Sequence, residues 1–155
     1  MDAFTQAYLD AAIFSSTDEN GSPLDRDFDA GDYAAPTLAK MKADCAVFQR
    51  KFGQYLRTRR DEGQAGHDFW LTRNGHGAGF WDGDWPEPDA AVLTAGSKTF
   101  GEFNLYVTPR GKIAAYEVPA RRKAKRKSAR PNPAPKKRPR SAARTRRKPA
   151  PKRRR

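Results

Sequence analysis

Residues 36–59 read PTLAKMKADCAVFQRKFGQYLRTR and contain the clearest periodic pattern in the 155-residue chain. Pro36 suits the first turn of a helix, where its missing N–H costs nothing. Apolar side chains then recur at alternating steps of three and four, at Leu38, Met41, Cys45, Phe48, Phe52 and Tyr55. Because an α-helix has 3.6 residues per turn, this spacing places all six on one face. The pattern predicts a long amphipathic helix over residues 36–59.

Gly53 lies inside this predicted helix. A glycine there costs about 1 kcal/mol relative to alanine, because it loses more backbone freedom on folding. We therefore expect Gly53 to mark a place where a neighbouring element packs closely. Gly63 and Gly66 follow and are expected to end the helix.

A shorter helix is predicted at residues 3–14, where Phe4, Tyr8 and Ala12 are spaced four apart. Residues 15–32, between the two helices, are rich in Ser, Asp, Asn and Gly and are typical of a loop. Loops of this length are uncommon in compact domains, so we expect this acidic loop to be mobile.

The spacing of the apolar residues changes after Gly66. Residues 67–72, HDFWLT, are rich in aromatic side chains and predict a strand, with Asn74-Gly75 as a hairpin turn and residues 78–81 as the returning strand. Residues 90–100 predict a short helix. Residues 103–116 predict a second hairpin, with its turn at Pro-Arg-Gly.

The expected order of elements is therefore helix, helix, hairpin, helix, hairpin, which is a small single α+β domain. The chain length excludes a two-domain enzyme. The single cysteine, Cys45, excludes an intrachain disulfide, and the N-terminus lacks the pattern of a signal peptide. No apolar run approaches the roughly 18–20 residues of a membrane helix. We expect a cytoplasmic protein that does not insert in a membrane.

Charge divides the chain into two parts. Residues 1–119, the head, hold 12 basic and 18 acidic side chains, a net charge of −6. Residues 120–155, the tail, hold 19 basic side chains, no acidic one and no aromatic one. A segment of this composition has nothing to bury and cannot offset the entropy cost of ordering. We expect the tail to be disordered on its own.

The tail predicts binding to a dense linear polyanion. Duplex DNA carries one charge per about 1.7 Å, and cations that neutralise its phosphates release condensed counterions. The tail has no aromatic side chain for stacking on bases, so we expect phosphate-directed, sequence-independent binding to DNA, with RNA as the less favoured alternative. An anionic membrane is the less favoured surface, because the tail has no large apolar residue to insert. The predicted nucleic-acid contacts are Arg121, Arg122, Lys123, Lys125, Arg126, Lys127, Arg130, Lys136, Lys137, Arg138, Arg140, Arg144, Arg146, Arg147, Lys148, Lys152, Arg153, Arg154 and Arg155.

Residues 66–85 contain both histidines and all three tryptophans of the chain. One interpretation is a metal or catalytic site formed by His67, His76 and Asp82. A second is an aromatic core beneath a glycine-rich turn, with histidines in structural hydrogen bonds. A third is a partner-binding patch, because aromatic residues are enriched at interfaces. Its members would be Trp70, Trp81 and Trp85.

The enzymatic interpretation is the less favoured one. The His-x8-His spacing fits no standard metal-ligand pattern, and no serine lies in a Gly-x-Ser-x-Gly context. We therefore expect no catalytic residue, no bound metal and no cofactor. An enzyme or metal protein acting on nucleic acid through His67, His76 and Asp82 remains the alternative, as does an inhibitor of a host protein.

The stretch HDFWLTRNGHGAGFWD at residues 67–82, with TFGEFNLYV at residues 99–107, resembles a family of small proteins of unknown function encoded by tailed bacteriophages. The resemblance spans about residues 33–113. It brings no established activity and no catalytic residues. It implies a phage or prophage protein acting in the bacterial cytoplasm, where DNA binding would associate it with the nucleoid. Together these features predict a non-enzymatic accessory protein whose tail holds DNA and whose head binds a host or phage protein or a second copy of itself.

Overall fold

A computed structural model describes residues 1–118 of the chain. It contains four α-helices and a two-stranded sheet, so the predicted α+β class is confirmed. The elements are α1 (Ala3–Phe14), α2 (Ala35–Leu56), α3 (Glu62–Arg73), α4 (Asp89–Lys98), β1 (Leu105–Val107) and β2 (Ile113–Ala115). The predicted disorder of residues 120–155 concerns residues outside the described part. No helix within residues 1–118 is long and apolar enough to cross a membrane.

Helices α1, α2 and α4 are confirmed close to their predicted bounds. Asp2 caps α1, because its side chain accepts a hydrogen bond from the Thr5 backbone N–H at 2.7 Å. Pro36 lies in the first turn of α2, as its fixed φ angle favours. The apolar stripe of α2 supplies the fully buried Met41, Cys45 and Phe48.

The first predicted hairpin is wrong: residues 67–72 belong to α3, and residues 78–81 form turns rather than a strand. Asp61 begins α3 by accepting a hydrogen bond from the Gln64 N–H at 2.9 Å. Asn74-Gly75 ends the helix instead of forming a hairpin turn. Gly75 has a φ of 69°, and the His76 N–H donates to the Leu71 carbonyl at 3.0 Å, which is the Schellman arrangement of a helix C-terminus.

The error has a physical cause in the burial of α3. Six consecutive residues, Asp68–Arg73, are all buried, so the helix shows no alternation of core and solvent positions. A short run that is buried on every side cannot be assigned to helix or strand from its periodicity. Gly66, expected to end α2, lies inside α3, where a Cβ would come within 1.9 Å of the Phe4 carbonyl oxygen. Only glycine permits this approach of α1 to α3.

The core is an aromatic cluster centred on Phe48. Its ring stacks on Phe69 of α3 at a centroid distance of 4.0 Å and packs against Phe4 of α1 at 5.9 Å. Phe80 and Phe100 approach it from the segments before and after α4, at 5.8 Å and 5.9 Å. Aromatic pairs at these separations add about 0.5–1.5 kcal/mol each beyond their buried area. The cluster therefore joins α1, α2, α3 and the segments on either side of α4 to one centre.

Gly53 inside α2 and Gly96 inside α4 have different surroundings. A Cβ on Gly96 would lie 2.4 Å from the Phe52 ring, so Gly96 allows α4 to pack against α2. A Cβ on Gly53 would meet no heavy atom within 4 Å. The expectation that Gly53 marks close packing is therefore wrong, since open space lies above it.

The second predicted hairpin is confirmed. Strands β1 and β2 pair antiparallel, with Leu105 opposite Ala115 and Val107 opposite Ile113. Gly111, with a φ of 66°, allows the connecting turn. The sheet joins the rest of the fold at Ile113, whose carbonyl accepts from the Ala34 N–H at 2.7 Å, just before α2.

The acidic loop, residues 15–32, contains two short 3₁₀-helices, Leu24–Arg26 and Ala30–Asp32. Leu24 is 1% exposed and anchors the loop in the core. Asp18 accepts from the N–H groups of Asn20 and Ser22 within the loop, each at 2.8 Å, whereas Asp32 pairs with Lys112 of the β1–β2 turn at 3.0 Å. The mobility of this loop stays a prediction.

Candidate nucleic-acid interface

The predicted nucleic-acid contacts of the tail, Arg121 to Arg155, all lie outside residues 1–118, so the structure does not place them. The other predicted site residues lie in the described part, in and around α3. Their positions show what residues 67–85 contribute to the fold and what they leave exposed.

The three tryptophans do not form one exposed patch, which corrects that expectation. Trp70 and Trp85 are 1% and 3% exposed, whereas Trp81 is 52% exposed. The Trp70 Nε1 donates to the Ser15 hydroxyl at 2.7 Å, and the Trp85 Nε1 donates to Asp68 at 2.6 Å. A buried indole needs such an acceptor for its N–H. Trp81 is thus the only one of the three whose side chain offers substantial area to a partner.

Asp68 is a buried carboxyl group, 1% exposed, in the middle of α3. Its oxygens accept hydrogen bonds from Trp85 and from the Gln64 Nε2, the latter at 2.7 Å. Burial raises the pKa of Asp68, and the hydrogen bonds from Trp85 and Gln64 oppose that rise. Both oxygens are occupied by side chains of the fold, so Asp68 acts as a structural acceptor between α3 and the segment before α4.

The candidate metal ligands are not brought together as a coordination site. His67 lies in the first half of α3, and His76 lies beyond its C-terminus. The seven residues from His67 to Arg73 alone span about 9 Å along the helix axis. Asp82 accepts from the backbone N–H of Gly79 at 3.2 Å and thereby shapes its own turn. Within residues 1–118, no group of three His, Cys, Asp or Glu side chains is placed to hold a metal ion.

Arg73 forms a buried polar network that the sequence analysis did not identify. Its side chain is 2% exposed and pairs with Asp44 of α2 at 3.0 Å. It also donates to the Tyr8 hydroxyl at 2.8 Å and to the carbonyls of Gly101 and Phe100 at 2.6 Å and 3.1 Å. A buried guanidinium is tolerated only with this degree of hydrogen bonding. Arg73 therefore ties α1, α2, α3 and the segment after α4 together.

The turn after α3 is held by the same stretch of sequence. The Phe80 N–H donates to the Thr72 hydroxyl at 2.9 Å in the core. Gly79 has a φ of 148°, and a Cβ there would come within 2.2 Å of that hydroxyl. Asn74 accepts from the Phe103 N–H at 2.7 Å. Most of residues 67–82 is thus occupied in holding the fold, which agrees with the interpretation of an aromatic core beneath a glycine-rich turn.

The described residues carry one concentrated positive region, which the sequence analysis missed. Residues 50–60 hold five of the 12 basic side chains of the head and no acidic one, whereas the head as a whole carries −6. They cover the C-terminal half of α2 and its connection to α3. The signal was present in the sequence as a short run of cations without an intervening carboxylate, and the stronger charge of the tail obscured it.

No protein-family model, no curated protein and no solved structure matches this chain. The resemblance of residues 67–82 to tailed-phage proteins therefore stays a prediction.

Proposed function

We propose that this protein is a non-enzymatic, phage-type accessory protein of the bacterial cytoplasm that holds DNA without sequence preference through residues 120–155. The observation that carries the proposal is the segregation of charge: a net −6 over residues 1–119 is followed by 19 cations and no anion over residues 120–155. An acidic domain repels nucleic acid over most of its surface, so the tail is the part of the chain suited to phosphates.

The expected strength of binding follows from counterion release. If about ten tail cations contact phosphates, log K falls against log salt with a slope near −9. A fourfold rise in salt then weakens binding by about five orders of magnitude. Phosphate contacts carry no sequence information by themselves, so one affinity is expected for duplexes of different sequence.

The head supplies a second interaction, with a host or phage protein or with another copy of the chain. Trp81 supports this part of the proposal, because a tryptophan that is 52% exposed is a frequent centre of binding energy at protein interfaces. The head holds a fixed surface for that contact, since Phe80 and Trp85 on either side of this loop are buried.

The decisive experiment compares the full chain with residues 1–119 and residues 120–155 by fluorescence anisotropy on duplex DNA across a salt series. The full chain and the isolated tail are expected to share a steep salt slope, and residues 1–119 are expected to lose most of the affinity. A tail of the same composition in shuffled order is the matched control and should bind as well as the natural tail. Undiminished, salt-sensitive affinity of residues 1–119 would contradict the proposal.

The partner contact is tested with Trp81→Ala in the full chain. Sedimentation measures self-association, and affinity capture from bacterial extract measures a second protein. Both are compared with Tyr116→Ala, a control at another exposed aromatic side chain. Equal behaviour of the two variants would remove Trp81 from the proposal and leave DNA binding by the tail untouched.

A further inference from the structure

The positive region of the head is formed by Arg50, Lys51, Arg57, Arg59 and Arg60. Arg59 is engaged within the fold: it donates to the Asp84 carbonyl at 2.8 Å and lies over the Trp85 ring at 5.8 Å. None of the other four is within ion-pair distance of a carboxylate among residues 1–118. Four cations are therefore unneutralised at one site of a domain that is acidic overall.

These cations line a groove made of two adjoining depressions. The first, of about 270 Å³, lies between α2 and the start of α3, with Arg57 and Arg60 among its lining residues. Phe4, Leu56 and Ala65 contribute its apolar part, and Glu62 is its one acidic side chain. The second, of about 550 Å³, is lined by Arg50, Lys51 and Gln54. Both depressions share Gln49, Gly53 and Arg57, so they form one continuous surface. We call it the α2 groove.

Gly53 has no structural reason to be glycine other than the groove. It lies inside α2, where glycine costs about 1 kcal/mol relative to alanine, and a Cβ would meet no atom within 4 Å. Any longer side chain at this position would project into the groove that Gly53 lines. The absence of a side chain keeps open the space between the Arg50 and Arg57 ends of the groove.

Arg60 is held in an unusual backbone conformation beside the same groove. Among residues 1–118 it is the one residue other than glycine with a positive φ, at 56°. A left-handed arginine costs about 1–3 kcal/mol and persists only where the surrounding structure determines it. The connection from α2 to α3 therefore accepts strain while placing a second guanidinium, beside that of Arg57, at the first depression.

We infer that the α2 groove binds the phosphodiester backbone of nucleic acid, as a second contact on the head. This inference rests on the proposed function and specifies a surface for it that is independent of the tail. Arg57 is seven positions after Arg50, which is about 10 Å along the helix axis. One strand of duplex DNA advances about 3.4 Å per nucleotide along the duplex axis, so this length covers about three nucleotide steps. Arginine and lysine are the side chains that bind phosphate.

The test uses the full chain and a matched pair of charge substitutions on α2. Gly53→Glu adds a carboxylate at the groove, and the Cβ of the new side chain would meet no heavy atom within 4 Å. Ala39→Glu adds the same charge at an exposed position of the same helix, about 21 Å away. Anisotropy on duplex DNA across a salt series should show the salt slope of Gly53→Glu reduced by about two relative to Ala39→Glu. For two lost phosphate contacts, affinity at 0.1 M salt falls about 60-fold.

The outcomes distinguish a failure of this inference from a failure of the proposed function. Equal slopes for Gly53→Glu and Ala39→Glu, in a full chain that binds DNA, would overturn the groove and leave the role of the tail intact. A full chain without salt-dependent affinity would overturn the proposed function and the groove with it. If circular dichroism shows Gly53→Glu unfolded, Arg57→Gln against the exposed Arg110→Gln decides instead. We then expect the salt slope to be reduced by about one in Arg57→Gln and unchanged in Arg110→Gln. Equal salt slopes for these two variants would overturn the inference.

Discussion

Replacing Arg73 by methionine should destabilise the folded part of the chain by about 3 kcal/mol. Methionine keeps the apolar length of the side chain but removes all its hydrogen bonds, and breaking a buried ion pair in this way costs about 3–5 kcal/mol. The lower end applies here for two reasons. Lys40 remains paired with Asp44, and Gly101, whose carbonyl accepts from Arg73, is an exposed residue that water can reach. The loss is a large fraction of the roughly 5–15 kcal/mol of a typical domain.

The same contacts predict that the stability losses of Arg73→Met and Lys40→Met are not additive. The Lys40 side chain is 46% exposed, so Lys40→Met alone should cost less than about 1 kcal/mol. In the double variant Asp44, buried in the fold, loses both cations at once. We therefore expect the double variant to lose about 1–2 kcal/mol more than the sum of the two single losses.

Urea denaturation of the full-length variants, followed by tryptophan fluorescence and circular dichroism, measures the free energy of unfolding of each single variant and of the double variant. Arg110→Met, at an exposed position of the β1–β2 turn, is the control and should stay within about 0.5 kcal/mol of the wild type. A loss below 1 kcal/mol for Arg73→Met, or strict additivity with Lys40→Met, would refute the assignment of Arg73 as the centre of a buried network.

Three further predictions concern the core and its rim. Gly53→Ala should stabilise the chain by about 1 kcal/mol in urea titration, because open space surrounds its Cβ. Gly66→Ala should destabilise it by about 3 kcal/mol, because its Cβ would meet a carbonyl oxygen at 1.9 Å. Stability changes of the same sign in the two variants would show that one of the two environments is not as described. Burial raises the folded-state pKa of Asp68 above its usual value of 3.8, so the charged form is disfavoured in the folded state. The stability of the wild type relative to Asp68→Asn should therefore fall as pH rises from 3.8 through the raised pKa, and a difference that grows with pH would count against it. Trp85→Ala should cost about 3–5 kcal/mol and Trp81→Ala less than about 0.5, since the first indole is buried and the second is half exposed; similar thermal shifts for both would contradict this contrast.

Much of the fold was predictable from local patterns. The helix at residues 36–59 showed a one-sided apolar stripe and a proline at its start, and α2 occupies Ala35–Leu56. The second hairpin had a turn motif between two apolar runs, and its strands pair as expected. In both cases the signal is local, because one face of the element is buried and the other is solvated.

The identity of α3 could not be predicted from the same kind of pattern. Its residues Asp68–Arg73 are buried on all sides, so periodicity carries no information about the element. Asn74-Gly75 suits both a hairpin turn and a helix C-terminus, since each requires a residue with positive φ. The element at this place is seen only in the tertiary structure, where Gly66 of the helix packs directly against the backbone of Phe4.

Some features of the candidate sites were likewise predictable from the sequence, and others depend on the fold. The charge of residues 120–155 is a property of composition, and the proposal of DNA binding needs no fold. The tryptophan patch was wrong because composition does not reveal which of three indoles reaches a buried acceptor. The α2 groove was missed because its two depressions combine residues of α1, α2 and α3.

The segregation of charge and the amphipathic helices can be read from residue type and from spacing along one segment. In contrast, the helical state of residues 67–73, the ion pair of Arg73 with Asp44 and the open space at Gly53 are visible only in the folded protein. The difference arises because burial, unlike charge, is a relation between segments distant in sequence. The conformation of a buried segment is therefore set by the side chains that surround it.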